Sequence, residues 1–213
     1  MKTYRSFALT FIALFCAVTV TAQTADEIIG KYIQALGGKD LLNKITSVYT
    51  ESTMDIMGTQ GTLKSTQLNG KGVKQEMDIM GSIITTCFTD KGGWSINPMT
   101  GASSPEVMPE TQYNSGKDQL GVGAPFINYA EKGIKVELMG TEPVGGVNAF
   151  KIKMTNPENI SALYYFDPNT FYLIRQVQQT EMQGETIDNV MTLSDYRTTE
   201  GYLMPYKVEM VMA

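Results

Sequence analysis

The chain contains no histidine. That absence removes imidazole-activated serine or cysteine nucleophiles and every zinc site built on imidazole ligands. Cysteine is almost as scarce, with Cys16 and Cys87 the only two. Beyond Arg5 the arginines are Arg175 and Arg197 alone, too few for the basic stripe that a phosphate backbone requires. No G-x-S-x-G elbow, P-loop, EF-hand loop or CxxC pattern occurs. Gly121-Val122-Gly123 lacks the third glycine of a dinucleotide fingerprint, because Phe126 stands in its place. Neither an enzyme nor a cofactor is expected. Carboxylate pairs are the remaining catalytic option, since a glycosidase needs only two. Asp55, Asp78, Glu181, Asp188 and Asp195 all fall on strand-like segments. Their alternation with apolar neighbours reads as solvent-facing, against catalysis and against a calcium cluster alike.

What is present begins with an export leader. Lys2 and Arg5 precede an apolar run from Phe7 to Val20, and Val20-Thr21-Ala22 places small residues before a cleavage site after Ala22. The run is too short for a comfortable membrane span. We read residues 1–22 as a signal peptide and residues 23–213 as a single domain in the periplasm. The rival, a lipid anchor on Cys16, meets Phe15 where a small residue is wanted. Without Lys2 and Arg5, 15 of the 17 basic residues face 22 acidic ones. A net charge of about −7 repels nucleic acid and anionic headgroups. Cys87, within the β-branched run Ile83–Phe88, reads as a small buried hydrophobe.

One segment has helical spacing. Thr24 and Asp26 can cap a helix whose apolar positions are Ile28, Ile29, Tyr32, Ile33 and Leu36, ended by Gly37-Gly38. A further short turn covers Lys39 to Ile45. From Ser47 the period becomes two: Val48, Thr50, Ser52, Met54 and Ile56 alternate with Tyr49, Glu51, Thr53 and Asp55. Glycines then punctuate strand-length segments as far as Met212, which implies an antiparallel meander. Residues 98–133 break the rhythm with Pro105, Pro109 and Pro125. A short helix is expected over Pro109–Leu120, and the excursion is either a lid or a packed crossover. Met54-Asp55-Ile56-Met57-Gly58 recurs as Met77-Asp78-Ile79-Met80-Gly81. With one strand between the copies, Met54, Ile56, Met77 and Ile79 should share a face.

The 14 methionines are the most distinctive apolar feature. Methionine is flexible and polarizable, so it suits an irregular core or a surface that adapts to a greasy ligand. The sequence leaves both readings open.

Several short segments together resemble the LolA-like superfamily, in particular the outer-membrane lipoprotein-sorting branch common in Bacteroidota. They are Tyr32–Gly38, Asp90–Pro98, Pro125–Gly133, Tyr164–Asp167, Asp195–Arg197 and Gly201–Pro205. The resemblance implies a mainly β fold with some α: one strongly curved antiparallel sheet, an unclosed barrel of about eleven strands. An N-terminal helix and a mid-chain helix would cover its concave side. It implies a carrier or chaperone for lipid, acylated lipoprotein or another apolar ligand, with an envelope interaction or sensor module as the alternative. The expected lining is Met54, Ile56, Met77, Ile79, Trp94, Phe126, Tyr165 and Met191. The lipoprotein carriers latch a helical lid with an early-strand arginine. Here none lies between Ala22 and Arg175, and Lys64 or Lys74 supplies charge without a planar fork.

Overall fold

The computed structural model describes residues 23–56, 58–117, 120–182 and 185–212. The leader, with Cys16 and the cleavage site, lies outside them, as does Met57. The first helix, α1 (Ala25–Ala35), is fixed by a capping box: Thr24 Oγ1 accepts from the Glu27 N–H, and the Glu27 carboxylate accepts from the Thr24 N–H. Ile28, Ile29 and Tyr32 give it one buried stripe. Gly37 ends it at a φ of 121°, where a Cβ would sit 2.6 Å from Leu41 Cδ2 and 2.7 Å from the Gly201 carbonyl oxygen. Only glycine fits between those neighbours. The short α2 (Lys39–Lys44) follows.

The strands form two sheets, which corrects the expectation of one. The first is a six-stranded antiparallel meander: β1 (Ser47–Ile56), β2 (Thr59–Leu68), β3 (Gly72–Ile79), β4 (Ser82–Thr89), β5 (Gly92–Ile96) and β6 (Glu106–Val107). The second meander is also six-stranded: β7 (Lys135–Val144), β8 (Val147–Thr155), β9 (Ser161–Phe166), β10 (Leu173–Met182), β11 (Glu185–Thr199) and β12 (Tyr202–Met212). Among the described residues no ladder joins β1 to β12 or β6 to β7, so neither sheet closes on the other. Between the sheets, α3 spans Glu110–Gly116, within the expected Pro109–Leu120, with Pro109 as its N-cap.

The core belongs almost wholly to the second sheet. Ile152, Met154, Tyr164, Phe166, Leu173 and Leu203 pack against α1, Leu42 of α2, and Val122 and Phe126 of the crossover. Tyr32 meets Phe126 and Phe166 edge-on at 4.9 and 5.3 Å between ring centroids, and Phe126 meets Tyr164 at 4.9 Å. Residues 98–133 are therefore, in part, a packed crossover. From the first sheet, only Val48 reaches this cluster among the described residues.

Asn69, in the β2–β3 turn, joins the two halves. Its Nδ2 donates to the Leu42 and Ile45 carbonyls at 3.0 and 2.7 Å, and its Oδ1 accepts from the Val122 N–H at 2.9 Å. Its backbone N–H donates to the Thr46 carbonyl. Elsewhere between the halves, Lys117 pairs with Glu158 and the Asn156 amide donates to the Asn114 carbonyl.

Candidate functional site

Residues directly opposite one another on antiparallel strands point to the same side of the sheet. The register places Met54, Gly61 and Ile79 in one row. The next row holds Ser52, Leu63, Met77 and Ile84. A later row holds Val48, Gln67, Val73 and Phe88. Val48 packs on the core, and Phe88 lies beneath Gly116 of α3, so this is the inner face. Met54, Ile56, Met77 and Ile79 share it, as their sequence spacing implies. Leu63, Ile84 and these four belong to neither buried cluster of the described residues. They form an apolar face outside both clusters, half-buried except for the exposed Ile56.

The other four expected lining residues lie elsewhere. Trp94 pairs with Cys87 and so falls on the outer face. The two-residue turn after Thr89 sets this, because it pairs inner Phe88 with Gly93 and sends the next residue outward. Phe126 is 2% exposed inside the aromatic core. Tyr165 points away from Tyr164, into a small outer cluster with Val144 and Ala149. There its ring lies near the Lys151 ammonium and the Arg175 guanidinium, 5.6 and 5.9 Å from the centroid. Met191 is on the inner side of the second sheet, in a row with Tyr164, Gln176 and Met210.

A second feature had no local signal in the sequence. A cleft of about 710 Å³ opens where β1 and β12 leave their facing edges unpaired. Leu41, Lys44 and Ile45 of the α2 region, Thr46–Ser52 along β1, and Thr199, Glu200, Tyr202, Met204, Pro205 and Tyr206 line it. Both faces of β1 contribute, with Val48 and Thr50 on the inner side and Tyr49 and Glu51 on the outer. The cleft is therefore a slit running edgewise between the sheets. Its volume lies within the ligand-sized range of roughly 300–1,000 Å³, yet none of the eight expected lining residues borders it.

The charged groups are engaged locally. Asp55 and Asp78 each accept from a turn amide, Gly58 N–H at 2.7 Å and Gly81 N–H at 2.9 Å. Asp188 accepts from Gln179, and Asp195 holds Arg197; the Arg197 guanidinium lowers the Asp195 pKa. Lys64 and Lys74 both lie on the outer face, 3.9 Å from Glu51 and 2.7 Å from Glu76 respectively. Neither points toward the inner face, where a latch would act. Cys87 is half-buried on the outer face rather than in the core, and partial desolvation raises its pKa against the opposing pull of Lys74. That disfavours a thiolate. Among the described residues no group of three or more Asp, Glu, Cys or His converges on a metal position.

Two unclosed antiparallel meanders, with helices packed on the inner face of the second, define the class of fold. It is LolA-like: the chain superposes on a LolA superfamily protein of Nitrosomonas europaea with a TM-score of 0.51 and 11% identity, covering 89% of this chain and 86% of that one. It superposes on a DUF1329 family protein of Desulfovibrio piger with a TM-score of 0.56 and 10% identity, covering 89% and 87%. No protein-family model matches the sequence, and no curated protein does. No helix among the described residues is long and apolar enough to cross a membrane.

Proposed function

We propose that this protein is a periplasmic carrier or chaperone, not an enzyme, that holds a lipid, an acylated lipoprotein or another apolar ligand against the inner face of its first sheet. After loss of residues 1–22, residues 23–213 act as one domain. The observation that carries this reading is the half-buried apolar row pair of Met54, Leu63, Met77, Ile79 and Ile84, which belongs to neither buried cluster of the described residues. Covering a half-exposed side chain gains about 1 kcal/mol, while each buried methylene of an acyl chain adds about 0.8 kcal/mol. The ligand's own length therefore dominates affinity, and adaptable methionines suit chains of varied shape. Ile56 extends the same face, and Met191 lies on the inner side of the second sheet.

The test is native mass spectrometry of protein released gently from the envelope. An adduct of acyl-lipid mass is expected. It should be lost, or at least tenfold weakened, in the double variant Met77→Glu with Ile79→Glu, and kept in the outer-face control Thr66→Glu. A bare protein mass under every condition overturns the proposal.

One observation favours a second reading. Phe126 is enclosed by the protein's own rings, so the space beneath α1 has no room for cargo. An envelope interaction module on the same fold would use the surface without carrying lipid. Crosslinking in cells would then trap a protein partner, with no lipid adduct on the native mass.

A further inference from the structure

The slit between β1 and β12 is separate from the apolar inner face and has its own chemistry. β1 hydrogen-bonds to β2 on one side only, so its other edge presents alternate N–H and C=O groups without strand partners among the described residues. Exposed strand edges are usually blunted by proline, lysine or a covering element. The two edges of this slit differ in that respect. β12 carries Pro205, which has no N–H to offer, and then Lys207. The bordering stretch of β1 is Thr46-Ser47-Val48-Tyr49-Thr50-Glu51-Ser52. It holds no proline and no lysine, and its threonine, valine and tyrosine favour extended backbone.

We propose that this slit is a peptide-binding site, in which an extended segment of another polypeptide adds as a strand to the free edge of β1. The stretch offers roughly 20 Å of edge at about 3.3 Å per residue, enough to pair a segment of about seven residues. Main-chain bonds supply the affinity, and alternate side chains supply the selection. On the inner side the segment meets Val48, which asks for an apolar residue. On the outer side it meets Tyr49, more than half exposed, which suits a polar or aromatic one, while Met204 and Tyr206 share one face of β12. The preferred ligand is an extended peptide alternating apolar and polar residues. Pro205 makes pairing one-sided: the ligand bonds to β1 and only packs against β12.

The probe is an acetylated, amidated heptapeptide alternating valine with threonine, with one lysine for solubility, titrated into the purified protein. Two derivatives carry N-methyl groups on alternate amides, in the two possible registers. The changes are made in the probe, so the protein's folding is not in question. Binding is expected for the parent. One methylated register should bind at least tenfold more weakly and the other almost as well. Amide exchange should slow along residues 46–52 and not along residues 202–206. No binding at millimolar probe overturns the proposal, because main-chain pairing tolerates sequence. Equal binding by both methylated registers overturns it too, since side-chain docking alone would then suffice. Neither result touches the lipid-carrier reading, whose assay is the adduct on the native mass.

Discussion

The two sheets are built alike and buried differently. Each is a six-stranded antiparallel meander. The second has α1, α2 and the crossover laid across its inner face, and Ile152 and Phe166 there are fully buried. In the first, Thr85 is the one buried side chain on a strand among the described residues. The alternation that writes a strand into sequence says which residues share a face, but not whether anything covers that face. The first sheet is held by its edges and turns, above all Asn69, where the second is held by its core.

Substitutions can break that contrast, beginning with the largest effect. Phe166→Ala removes a fully buried ring from the second sheet and should cost about 3–5 kcal/mol, read as a lower urea midpoint. Met77→Ala on the first sheet should cost about 1 kcal/mol or less, because that side chain is only half-buried. Equal losses would show that the first sheet has a covered core after all. Asn69→Ala strips two carbonyls and one amide of their partners and should cost about 2–3 kcal/mol. Amide exchange should accelerate more in β1–β3 than in β8–β9; a uniform acceleration would mean that Asn69 is not the joint.

Tyr129, which ties the crossover to Asp26 of α1, gives the next effect. Burial first, and then the bond to Asp26, push its pKa up from 10.0 to about 12. The folded state thus holds this proton more tightly than the unfolded chain. Its contribution is intact below pH 10 and is lost as the pH rises toward 12. With no histidine to titrate, stability should be nearly flat from pH 6 to pH 9. Tyr129→Phe should cost about 1 kcal/mol at neutral pH and soften the alkaline decline; an unchanged decline would assign it to Tyr196 or Tyr202 instead. The smallest effect is a gain. Met80 is 87% exposed in a two-residue turn, at a φ of 52°, beside Gly81 at 82°. Such turns favour asparagine first, so Met80→Asn should stabilise by about 0.5 kcal/mol.

Much of this was readable from local chemistry. Thr24 three residues before Glu27 announces α1, and the glycines mark the hairpins. The repeated Met-Asp-Ile-Met-Gly is explained by turn bonding: in each copy the aspartate accepts from the glycine amide three residues later. That the four apolar residues of the repeat share the inner face followed from one intervening strand. What could not be read depends on partners distant in sequence. Trp94 stands among the expected lining residues, yet a single turn decides its face. Phe126 and Tyr165 looked alike as aromatics, and tertiary packing sent one into the core and the other to the far side. The break between β1 and β12 involves residues about 150 apart in sequence, and no local pattern foretells whether they pair.

That break has a mechanical consequence. In a barrel closed by hydrogen bonds all the way round, widening the interior means tearing a ladder. Here the first and last strands meet without one, so the slit can widen or narrow while every inter-strand bond in both sheets survives. The protein has a seam rather than a wall at that position, bridged by contacts that include those of Asn69, Leu41 and Gly201.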